Sequence, residues 1–235
     1  PFAWDAMTYH LEGPRRYLEA GRIAAYADNH FMGFPQALEM LYSMALGLLG
    51  RDTAVAPIQF FYGVLGLLAT AGILRRHSDD DAAYTAGLIL FSGYGLWWLF
   101  GIPYVDLAIM LYGASALIVL RQWRSSGDAR WLIAGGLVAG FAVSVKYTGA
   151  IVAVALAVAV TLSEPRRLLR NNLLLAGVAL LVFSPWMLKG IALYGNPFYP
   201  YGLDGLNWDG LRSANFNEAG KGLFYGDNWW HWFIL

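Results

Sequence analysis

Hydrophobic and polar positions divide this chain into three stretches. Residues 1–54 interleave aromatic side chains with charges. Residues 55–193 hold long apolar blocks joined by short polar connections, and residues 194–235 are rich in Gly, Asn, Trp and Tyr. The blocks at 55–74, 83–101, 104–120, 131–145, 148–162 and 172–193 approach or reach the roughly 20 apolar residues with which a helix crosses a hydrocarbon core. They predict six membrane-spanning helices. The apolar run 36–50, which follows Pro35 and carries Glu39, is shorter and is expected to be interfacial or re-entrant. The fold class is therefore all-α: a polytopic transmembrane helical bundle with interfacial helices in its first extracytoplasmic loop. Three regions follow: that loop (1–54), the six-helix region (55–193), and an extracytoplasmic aromatic loop with the start of a further helix (194–235).

Composition supports an integral membrane protein, since 58% of the 235 residues are hydrophobic and 14% are charged. A net charge of zero supplies no field to draw nucleic acid. Cysteine is absent, which removes disulfides, thiolate metal sites and covalent haem attachment. A first residue of Pro1 and a last of Leu235, inside an aromatic run, read as the ends of a piece of a longer protein.

The connections alternate in charge. Arg75, Arg76, Arg121, Arg124, Arg130, Arg166, Arg167 and Arg170, eight of the sixteen basic residues, fall on three loops of one side. By the positive-inside rule that side is cytoplasmic. Six crossings then put the Asp5 segment and the tail after Tyr194 together on the outer side. Gly136 and Gly140, spaced as small-x-x-x-small, and the alanine-rich run 150–157 predict close helix contacts. Pro57 suits the first turn of its helix, and Pro185 is expected to kink the last one. Asn196-Pro197 and Tyr199-Pro200 predict a turn-rich loop on the outer surface. Trp229, Trp230 and Trp232 are expected to anchor a further helix at the interface.

Candidate chemistry concentrates in residues 4–22, WDAMTYHLEGPRRYLEAGR, which bring Asp5, His10, Glu12, Arg15 and Arg16 ahead of the apolar blocks. Asp5 is either the N-cap of an interfacial helix beginning near Ala6 or a catalytic carboxylate. Asp106, in YVDLA, lies just inside the outer end of a span, where a carboxylate needs a wet cavity or a partner; capping its helix is the other reading. Lys146, in KYTG, is the lone cation of the outward-facing short connections. It is either a phosphate partner or a snorkelling lysine at a helix end. Arg15 and Arg16 could also meet a phosphate, while Glu12 and Glu39 are further acidic candidates and Tyr9 and Tyr147 flank the charged ones. His10 could ligate a metal or donate to a sugar hydroxyl, although a lone His more often makes a structural hydrogen bond. No two histidines stand at i, i+4, so a zinc helix is unsupported. Asp79, Asp80 and Asp81 fall on the opposite side and are expected to cap a helix. Gly93-Tyr94-Gly95 lacks the context of a potassium filter.

WDAMTYHLEGP, YVDLA, KYTG and WMLKGIALYGNPFYP, in that order, resemble polytopic glycosyltransferases of the C-type membrane fold, the superfamily of protein mannosyltransferases and aminoarabinose transferases. The resemblance implies a polyprenyl-phosphate-linked sugar as donor, transferred to an acceptor hydroxyl at the outer face of a membrane, with a bacterial plasma membrane and a periplasmic site as the expected setting. It also implies Asp5 as the catalytic base and Asp106 as a shaper of the donor site, and the phosphate roles open to Lys146, Arg15 and Arg16 would suit such a donor. Relatives carry a span before the Asp loop and several more after this chain's last residue. Some use a divalent cation, and no ligand set here compels one. Membrane lipids, and other membrane subunits, are the expected partners. The rival function is a non-catalytic subunit within a larger membrane complex. A transporter or channel fits less well, because the spans hold almost no ionisable residue near mid-membrane.

Overall fold

The computed structural model describes residues 3–76 and 79–215. Among these residues the regular structure is helical, with no strand. A π-turn, Ala6–His10, leads into α1 (Glu12–Ala20), followed by α2 (Ala37–Leu49), α3 (Ala56–Leu74), α4 (Asp80–Ser92), α5 (Tyr94–Phe100), α6 (Asp106–Ser126), α7 (Ala129–Val145), α8 (Ala150–Ser163) and α9 (Leu168–Lys189). The protein is an all-α membrane protein. By length and composition α3 (within 52–74) and α9 (within 165–194) suffice to cross a membrane, and α4 with α5 would make a third crossing. α2, α7 and the helix over 147–163 are apolar but shorter.

The predicted helix over 83–101 is broken. Gly93 adopts an extended conformation, and α4 and α5 meet there at 75°. Gly93 and Gly95 flank Tyr94, and two glycines so close together cost a continuous helix about 1 kcal/mol each relative to alanine. The acidic run before α4 behaves as a cap: Asp79 accepts a hydrogen bond from the Ala82 amide, and Asp80 pairs with Arg75 at 2.8 Å. Pro57 occupies the first turn of α3, and Pro185 lies within α9.

The chain forms two compact units, one from residues 1–24 and 35–186, the other from residues 25–34 and 187–235. In the first, α1 and α2 fold against each other, and the Tyr17 hydroxyl donates to the Gln36 side chain at 2.7 Å. Gly21 and Gly50, both left-handed, end these two helices. One buried cluster gathers Leu11, Leu38, Tyr42, Leu46, Val55, Val105, Ala108 and Val145. The paired stripe of small residues does bring helices close. A Cβ on Gly136 would come within 2.6 Å of Val178, and one on Gly140 would meet Val182 at 2.6 Å and the Ala179 carbonyl at 2.7 Å. The alanine-rich run behaves otherwise. The buried face of α8 is carried by Val152, Leu156 and Val160, one turn apart, while Ala150 and Ala155 are exposed.

In the second unit the segment after α9 turns at Gly195 and closes on itself rather than spreading over a surface. Asn196 is fully buried. Its carboxamide accepts from the Phe198 amide at 2.9 Å and donates to the Tyr201 and Leu203 carbonyls at 3.1 and 2.7 Å. Around it Tyr194, Tyr199 and Trp208 form a buried aromatic core. Residues 30–34 join it: His30 packs on Trp208, and Gly33 leaves room for the Tyr199 ring. Lys189, the last residue of α9, donates to the carbonyls of Met32 and Phe34 at 2.7 and 3.0 Å. The predicted anchors Trp229, Trp230 and Trp232 lie outside the described residues.

Candidate active site

The candidate site is assembled from four ends of elements in the first unit. Asp5 and Tyr9 stand one turn apart, just where the helix widens. The Leu11 amide reaches back to the Ala6 carbonyl at 2.9 Å, a π-type bond of the kind often found at functional sites. The widened turn buries Tyr9 and His10 together and leaves Asp5 half-buried. Asp5 does not cap: its backbone is itself helical and its side chain makes no cap hydrogen bond. Its carboxylate instead accepts from the Tyr9 hydroxyl, and its backbone hydrogen-bonds the Tyr104 phenol.

Three carboxylates act on Tyr9. Burial holds its hydroxyl protonated far beyond the usual phenol range, and the charge and hydrogen bond of Asp5 add to this, followed by the charges of Glu39 and Asp106. The Tyr104 phenol is likewise pushed up, by burial first and then by Asp5. Both hydroxyls are therefore donors at neutral pH, suited to hold a carboxylate or a sugar oxygen and unsuited to remove a proton. Tyr42 fixes Tyr104 from below by donating to its carbonyl.

Glu39 enters from the first turn of α2, where the positive end of the helix favours an acid. It pairs with His10 Nδ1 at 2.6 Å, and both side chains are 2% exposed. Whichever of the two holds the proton, His10 Nε2 and Glu39 Oε2 are left buried without a hydrogen-bond partner among the described residues. The imidazole is clamped between aromatic rings, with Tyr9 at 4.1 Å and Tyr104 at 5.4 Å between centroids. His10 thus spends its Nδ1 on Glu39.

Asp106 is the first residue of α6 and Lys146 follows the last residue of α7, so each charge sits at the helix end whose dipole suits it. They meet at 3.1 Å, each about a third exposed, with side-chain accessibilities of 35% and 31%. The tight reversal that presents Lys146 depends on Gly149, where a Cβ would collide with the Ala142 carbonyl of α7. Gly149→Ala is expected to cost about 1–3 kcal/mol through this overpacking and to displace Lys146. Thermal unfolding in detergent checks it, and an unchanged midpoint would show that the reversal tolerates a side chain.

The other sequence candidates are placed differently. Arg15 pairs with Asp52, Arg16 pairs with Glu12 at 2.8 Å, and Tyr147 packs edge-on against Phe183. The two arginines thus answer acids of their own segment. Tyr42 and Tyr104 were missed by sequence reasoning. Tyr104 stands two residues before Asp106, which was the available signal. Gln59 was also missed: it is fully buried in α3, and neither side-chain polar atom has a hydrogen-bond partner among the described residues. A polar residue inside an apolar span was a readable sign there. Among the described residues no three His, Asp or Glu side chains are grouped to hold a metal ion. Glu39 answers His10, Asp106 answers Lys146 and Asp5 answers Tyr9, so the carboxylates present do not fit a shared cation.

The fold and site together define an all-helical membrane protein that gathers carboxylates, phenols and Lys146 at the ends of its helices. The chain belongs to the dolichyl-phosphate-mannose-protein mannosyltransferase family, whose model matches residues 38–188. It is a membrane glycosyltransferase of the C-type fold by that membership. Glu39, Asp106 and Lys146 lie inside the matched stretch, and Asp5, Tyr9 and His10 precede it. No curated protein and no solved structure matches the chain.

Proposed function

We propose that this protein transfers a sugar from a polyprenyl-phosphate carrier to an acceptor hydroxyl at the extracytoplasmic membrane face, with Asp5 as the general base. The observation that carries the reading is the half-buried Asp5 carboxylate held by the Tyr9 hydroxyl, which also feels the charges of Glu39 and Asp106, with Lys146 paired to Asp106. Asp5 is the carboxylate of the three that faces neither a cation nor an imidazole in a recorded ion pair, and it is half-buried, which suits a group that must accept a proton. In the step itself the Asp5 carboxylate takes the proton of the acceptor hydroxyl. The acceptor oxygen bonds the anomeric carbon, the bond from that carbon to the phosphate oxygen breaks, and polyprenyl phosphate leaves with both electrons of that bond. A single displacement inverts the anomeric centre. Lys146, anchored by Asp106, offsets the charge that grows on the departing phosphate.

The donor class is testable directly. The full-length protein in proteoliposomes is expected to label acceptor from polyprenyl-phosphate-linked sugars and not from nucleotide sugars. Label taken from a nucleotide sugar when the lipid carrier is absent would overturn the reading.

A further inference from the structure

Glu39 is an acid that the proposed chemistry does not use. It belongs to the buried stripe of α2, between Leu38 and Tyr42, with a side chain 2% exposed. A carboxyl so enclosed touches no substrate, and it is costly unless a partner answers it. That partner is His10, whose Nδ1 lies 2.6 Å away across twenty-nine positions of sequence. Among the described residues this is the one hydrogen bond of the imidazole, since Nε2 has no partner. Two phenol rings pack on the imidazole, Tyr9 at 4.1 Å and 47° and Tyr104 at 5.4 Å and 45°. The same two phenols are bonded to Asp5, Tyr9 through the carboxylate and Tyr104 through the backbone. Tyr42, one turn after Glu39, holds the Tyr104 carbonyl. One stretch of α2 therefore backs both phenols, through one bond to a ring and one to a carbonyl.

We infer that Glu39 is a positioning residue for sugar transfer: by pinning the His10 ring to α2 it fixes where Tyr9 and Tyr104 stand, and through them the Asp5 carboxylate. The inference rests on the reading of Asp5 as the general base. His10 is the last residue of the widened turn that follows Asp5, so the anchor lies in the same short segment as the group it serves. Enclosure keeps Glu39 from acting as acid or base on the sugar, and its influence passes through His10 and the phenols. Misplacing a reacting group by about 1 Å costs up to about 10²-fold in rate, so an anchor at this remove is enough to govern turnover.

Two replacements of equal length separate the hydrogen bond from the volume it fills. Glu39→Gln keeps a carboxamide able to accept from Nδ1 or donate to it, whereas Glu39→Met can do neither. In the full-length protein in proteoliposomes, Glu39→Met is expected to lower kcat by about 10–10²-fold with the donor KM unchanged. Most of that loss should be absent in Glu39→Gln. Combined with Asp5→Asn, Glu39→Met should cause no further loss, because it acts through the carboxylate already removed. A fall in the amount of folded protein would instead lower transfer equally in both backgrounds, and the assays run below the unfolding midpoint of every variant. Replacing Tyr9 by 3-fluorotyrosine adds a readout independent of turnover: its fluorine resonance should move in Glu39→Met and stay in Glu39→Gln. Parent-like kcat in Glu39→Met, an equal loss in the two backgrounds, or an unmoved resonance in Glu39→Met would overturn this inference alone, provided that Asp5→Asn is impaired. Parent-like transfer by Asp5→Asn would overturn the reading of the base and this inference with it.

Discussion

Asp5→Asn in the full-length protein is expected to lower sugar transfer by about 10²–10⁴-fold, the span that a positioned general base contributes, while leaving thermal stability and donor binding near those of the parent. Asparagine keeps the size of the side chain and still offers an oxygen to the Tyr9 hydroxyl, so the widened turn and the packing of Tyr9 persist. What is lost is the capacity to take a proton. The change should appear in kcat rather than in the donor KM, since no binding contact disappears. Transfer within about tenfold of the parent would remove Asp5 from the chemical step.

Glu39→Ala should have the largest effect on stability, about 3–5 kcal/mol, visible as a fall of the unfolding midpoint in detergent. The His10–Glu39 pair is almost fully enclosed and its bond is short, so removing the acid leaves the imidazole with neither ring nitrogen satisfied. Replacing both residues by apolar ones, His10→Phe with Glu39→Met, should cost much less than the two single changes added together. A loss below about 1 kcal/mol for Glu39→Ala would mean that water already serves His10. Tyr9 and Tyr104 both pack against this imidazole, so the loss should also be felt by the phenols beside Asp5.

Sequence patterning was informative where a single helix carries the signal. The cap at Asp79, the first-turn Pro57 and the close approach at Gly136 and Gly140 all follow from local spacing. The site was legible as a set of charged residues and not as a set of partners. Asp106 and Lys146 are forty positions apart, and His10 and Glu39 twenty-nine. Nothing local determines that such residues meet; the antiparallel run of α6 and α7 and the folding of α1 against α2 do. Arg15 likewise meets Asp52, thirty-seven positions on, whereas the pair of Arg16 with Glu12 follows from i, i+4 spacing. The break at Gly93 was missed because the surrounding residues are apolar enough to suggest one continuous helix. The buried Asn196 was read as a turn former, although it also organises a small core of its own.

The ammonium of Lys189 grips the carbonyls of Met32 and Phe34 across 157 and 155 positions of sequence. A ribosome must therefore deliver nearly all of the helical region before this fastening can form. During synthesis the segment around His30 and Phe31 is threaded out early and waits for its clasp. Loop-closure entropy makes so distant a contact a late event in assembly, and the aromatic core around Tyr199 can be completed only once α9 has been inserted.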